Sequence, residues 1–157
     1  MSSSSRDIID QLVNSLSNYI NDPTILFEKY PISYEDIDSR QDIRKARVSI
    51  YEISELTTIT VDDGRANMST QTYGIDISVV RGYTNNNAKR GELILYEIRD
   101  KIIDWARDNL DVSALTGGYI YTFKYNSSSS FTRSDRFVSR TMYFDSMRDL
   151  LKQQFTT

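Results

Sequence analysis

The chain has 157 residues, 39% of them hydrophobic and 26% charged, an ordinary balance for one soluble globular domain with a real core. There is no cysteine, which excludes a disulfide framework and a thiolate metal site. There is no histidine, which removes the usual general base and the commonest transition-metal ligand. A net charge of −3 and a pI near 5.0 argue against sequence-independent DNA binding, which needs a basic face.

In chain order, the first five residues read as a flexible N-terminus, with Ser5 able to cap a helix beginning near Arg6. The start lacks the apolar core of a signal peptide, so synthesis and folding in a cytoplasm are expected. Ile8, Ile9, Leu12, Val13, Leu16, Tyr19 and Ile20 fall at helical spacing, and Asn21-Asp22-Pro23 is a stop signal. Residues 24–43 read as an irregular acidic loop. Over residues 1–43, three basic residues face eight acidic ones.

A strand-rich middle comes next, with alternation over 47–51 and again over 58–61. In the clearest strand, Tyr73, Ile75, Ile77 and Val79 face one way and Thr72, Gly74, Asp76 and Ser78 the other. Residues 88–109 predict a second helix, with Leu95, Ile98, Ile102, Trp105 and Ala106 as its stripe, widened by Leu93, Ile94 and Ile103. The last third predicts a hairpin. Tyr119, Tyr121, Phe123 and Tyr125 alternate on its first arm, a polar tip spans 126–130, and the return arm carries Val138, Arg140, Met142 and Phe144 on one face. Residues 146–157 read as a short helix or a tail. Strand runs segregated from helices predict a single α+β domain, a mainly antiparallel or mixed sheet with two principal helices packed on it.

The possible sites reduce to ordinary features. Asp62-Asp63-Gly64 lacks the further acidic residues of a calcium loop and reads as a turn. Glu35, Asp36 and Asp38 read as a solvated loop. Lys89-Arg90-Gly91 has no phosphate-loop spacing around it. Trp105 belongs to the core stripe. No nucleophile, base and orienting group are marked out together, so no enzyme activity, cofactor or metal is expected. Eleven tyrosines suit a chain that works through contacts with other proteins. The contact residues expected are Tyr119, Tyr121, Tyr125 and Phe131, the last exposed beside the serine run at 127–130.

The order of elements resembles the tail terminator (tail completion) proteins of long-tailed bacteriophages. The opening helix 7–20, the strands 47–51 and 73–80 with Arg81-Gly82 after them, the helix 91–109 and the hairpin 119–143 carry the likeness. It spans nearly the whole chain by pattern, without a diagnostic motif. The resemblance implies a structural virion protein, assembled in the host cytoplasm, that forms a hexameric ring on the tail tube. Such a ring stops tube polymerisation and offers a joining surface to the head–tail connector. DNA would pass through its lumen without specific binding, and no membrane is involved. The alternatives are another neck component, such as a head completion or connector protein, a cellular adaptor, and a carboxylate-dependent hydrolase using Glu35, Asp36 or Asp62.

Overall fold

The computed structural model describes residues 5–29, 46–60, 66–80, 88–108, 120–133 and 137–149. Helix α1 (Ser5–Ile20) leads into strand β1 (Ile25–Glu28), then β2 (Ala46–Thr60) and β3 (Ala66–Val80). Helix α2 (Ala88–Asp108) is followed by β4 (Ile120–Ser128), β5 (Thr132–Arg133) and β6 (Phe137–Asp149). The strands form one mixed sheet in the order β1-β2-β3-β6-β4, with β5 paired to β6. Among the described strands, only the β1–β2 pair is parallel. The expected α+β class is therefore what the chain adopts.

Both helices end where local chemistry stops them or run where their stripe stays covered. Asn21 takes a left-handed φ of 50° and its N–H bonds the Ser17 carbonyl at 2.9 Å, closing α1. Asp22 Oδ1 then accepts from the Thr24 N–H and hydroxyl, turning the chain straight into β1. Ile8, Leu12, Val13, Leu16 and Ile20 of α1 are buried, as are Ile94, Leu95, Ile98, Ile102, Trp105 and Ala106 of α2. Trp105 Nε1 donates to Ser15 Oγ at 3.1 Å, so the one indole N–H in the core has a partner on the neighbouring helix.

The helix-facing side of the sheet is largely apolar. Register places Val48, Ile77 and Arg140 in one row, Ile50, Ile75 and Met142 in the next, then Tyr73, Phe144 and Tyr125. Tyr73, Phe123, Phe144 and Trp105 interlock: Phe123 stacks on Phe144 at 4.9 Å and takes Trp105 edge-on at 5.6 Å.

Several expectations are corrected. Residues 25–28 form a strand inside the segment expected to be irregular. The short alternation at 47–51 and residues 58–60 of the second belong to one 15-residue strand, because a bulge between Glu52 and Ser54 shifts the alternation without ending the pairing; residue 61 lies outside the described residues. Residues 146–149 continue β6 and are neither helix nor tail. Leu93 is 59% exposed, since two positions from Leu95 is roughly 160° around the helix. Tyr19 is 41% exposed despite lying in line with the stripe, because periodicity sets a face and not how far the neighbouring surface extends. The far strand face is polar but not simply solvated, since Ser49, Gly74, Ser78 and Ser139 on it are buried.

Candidate functional site

One surface gathers the residues expected to make contacts. Glu92, Tyr96 and Arg99 recur at helical spacing on the flank of α2, next to its buried stripe. Each meets a residue of the hairpin: Arg133 pairs with Glu92, Phe131 packs edge-on against Tyr96 at 5.6 Å, and Tyr125 bonds Arg99 at 3.4 Å. Arg133 and Arg140 both lie over the Phe131 ring at 4.7 Å, and Arg99 lies over the Tyr125 ring at 5.6 Å. The result is a corner of two aromatic rings framed by three arginines, with exposed Leu93 and half-exposed Tyr96 beside it.

The serine run is built into this corner. Ser127 and Ser128 pair with Tyr143 and Met142, and Ser129 N–H bonds the Thr141 carbonyl at 2.8 Å. Ser129 Oγ accepts from Thr141 N–H, and its carbonyl accepts from Arg140 Nε at 2.8 Å. Phe131 is therefore half-buried against the core and not exposed on a mobile tip. Serine hydroxyls supply hydrogen bonds that composition alone reads as solvated. The Tyr125 phenol shares a 2.6 Å bond with Ser128 Oγ. Burial pushes that phenol up, but the Ser128 bond, the Arg99 bond and charge, and the Arg140 charge outweigh it and hold it below the usual tyrosine value.

Of the other expected contact residues, Tyr121 occupies the bulge between Ile120 and Thr122, and its side chain lies outside the described residues. Tyr119 lies outside them too, as do Glu35, Asp36, Asp38, Asp62-Asp63-Gly64 and the side chains of Lys89 and Arg90. Among the described residues, no group of three or more metal-ligating side chains is close enough to hold an ion. No described helix is long and apolar enough to cross a membrane.

A second cluster sits on the opposite sheet face and was not read from the sequence. Tyr51 OH and Thr141 Oγ1 both donate to Asp76 Oδ1, at 2.8 and 2.5 Å. The Tyr51 ring reaches Asp76 by lying flat across Gly74, its direct partner on β3, where an added Cβ would come within 2.7 Å of the ring. Burial, the bond to Asp76 and its charge push the Tyr51 phenol up. The only sequence sign was a glycine and a carboxylate two apart in a strand. Which tyrosine covers that glycine is a matter of register.

Burial holds the Asp76 carboxyl above its usual range, although both hydroxyl bonds pull it down. Its native pKa thus exceeds its unfolded value of about 3.9. The native state binds more protons between those two values, so this group's contribution to stability is full at low pH and is lost as pH rises through the raised pKa. Asp76→Asn keeps an acceptor for both hydroxyls and removes the charge. The melting temperature of this variant, measured against pH, is expected to lose the decline that the parent shows above about pH 4. Identical pH profiles for the two proteins would refute this.

No protein-family model matches the chain, and no curated protein matches it.

Proposed function

We propose that this protein is a structural ring component of a phage tail, a terminator that caps the tail tube and joins it to the neck, and that it catalyses no reaction. The observation that supports this best is the corner of α2 and the hairpin. Phe131, Tyr125 and Tyr96, framed by Arg99, Arg133 and Arg140, have the composition of a protein-binding hot spot: broad rigid rings with arginines at the margin. The order of elements agrees, with two helices on one face of a mixed sheet. An acidic chain also suits a lumen through which DNA must slide without sticking.

The test is the mass of the purified protein by light scattering, over a range of concentrations, with and without isolated tail tubes. A ring near six subunits, alone or on the tubes, is the expected result. A monomer that ignores tubes at every concentration refutes it. Phe131→Ala is expected to lower assembly at least about tenfold, since truncating a hot-spot ring typically costs about 2 kcal/mol or more. Its melting temperature should fall less than that of a fully buried phenylalanine variant, because Phe131 is only half-buried.

A further inference from the structure

The make-up of the corner defines what can sit on it. Leu93 and Tyr96, 59% and 43% exposed, lie one turn apart on α2 beside the half-buried Phe131 ring. Arg133 and Arg140 are held at that ring, and Arg99 at the ring of Tyr125. Glu92 pairs with Arg133 and Asp100 with Arg99, yet the Arg133 side chain is still 50% exposed. A guanidinium offers five N–H donors in a planar fork that matches a carboxylate, so a single carboxylate does not exhaust it. Such a surface selects an acidic segment that also carries apolar side chains: carboxylates for the forks, apolar groups for Leu93 and Tyr96.

The chain's own sequence supplies a segment of this kind. Tyr34-Glu35-Asp36-Ile37-Asp38 sets three carboxylates beside two large side chains, with no basic residue between them. Residues 1–43 as a whole carry −5, and the remaining residues +2. Strand order separates the two halves. Among the described strands, β1 is one edge of the sheet and β4 the other, with β5 on the same side as β4. Helix α1 packs over β1 and β2, and α2 over β3, β4 and β6. The acidic segment belongs to the connection that starts after β1 and ends at Ala46, the first residue of β2. The corner is built at the other edge, four strand spacings or about 19 Å from β1. Acidic chain leaving one edge and arginines fixed at the other suit a head-to-tail contact, in which each copy offers one half and receives the other.

We infer that the corner of one copy is occupied by residues 34–38 of the next, with the carboxylates of Glu35, Asp36 and Asp38 meeting Arg99, Arg133 and Arg140. The inference rests on the proposed reading of the corner as an assembly contact, and adds its occupant.

Two charge-reversed, full-length proteins test it. One carries Arg133→Glu; the other carries Glu35→Lys, Asp36→Lys and Asp38→Lys. Light scattering of each alone is expected to show assembly weakened at least about tenfold, since like charges then face each other. An equimolar mixture is expected to recover most of the parent assembly, because each reversed half meets its opposite on the other protein. Leu93→Asp, at an exposed helix position, is expected to weaken assembly with little change in melting temperature, which separates a lost contact from a lost fold. Multimers that form normally from both reversed proteins overturn the inference and leave the ring reading standing. Loss of assembly with no recovery on mixing also overturns it, since the corner then takes a different partner. A lower melting temperature for both reversed proteins at unchanged mass overturns it too, since that marks docking of the segment within its own chain. Charge-dependent multimers that stay open uphold the contact and remove the ring. A monomer under all conditions, tail tubes included, removes both.

Discussion

Ile77→Asp should abolish cooperative folding. Ile77 is fully buried in the central strand β3, in a row with Val48 and Arg140 under the helices. An aspartate there loses the burial of a large aliphatic side chain and places a carboxylate in an apolar core. Such a change costs about 5 kcal/mol or more, against a total of about 5–15 for a domain. Arg140 stands opposite but is not available as a counter-ion without further loss. Its guanidinium lies over Phe131 and bonds the Ser129 carbonyl, so turning it inward would undo the hairpin corner. Circular dichroism should show no melting transition, or one far below the parent. A transition at the parent temperature refutes the placement of Ile77 in the core.

The second large effect is expected at Phe123. It is 1% exposed, lies nearly parallel to Phe144 with an interplanar angle of 7°, and also meets Trp105 and Tyr73. Truncation to alanine leaves a cavity among three rigid rings that cannot easily collapse into it. The expected cost is about 3–5 kcal/mol, or roughly 10 °C in melting temperature for a chain of this size. A double-mutant cycle with Phe144→Leu should show a coupling of about 0.5–1.5 kcal/mol from the stacked pair. Additive losses would mean that the two rings contribute only by area.

Much of the fold is legible in the sequence, because strong periodicity is enough. The stripes of α1 and α2 and the core face of β3 are visible as spacings, and the turn at Asn21-Asp22-Pro23 has its own chemistry. The illegible parts depend on partners far along the chain. β1 is too short to show a period, and its strand character comes from its parallel pairing with β2. The bulge at Ile53 makes one strand look like two. At the corner, the sequence points to Tyr125 and Phe131 but not to Glu92, Tyr96 and Arg99. Those three lie on a helix flank that looks merely polar until the hairpin folds over it. The Tyr51–Asp76–Thr141 cluster joins three strands through register, and no local pattern announces it.

The strand order carries one more consequence, for synthesis. The sheet interior is completed by β6, the last described strand in the chain, which slots between β3 and β4. Until it emerges, among the described strands β3 has a partner on one side only and β4 has none, and the aromatic cluster lacks Phe144. The pairing of β6 with β3 therefore comes late and joins residues far apart in the chain, a slow kind of contact to form. Among the described strands, β4 meets the sheet only through β6, so a prematurely terminated chain leaves β4 with no place in the sheet.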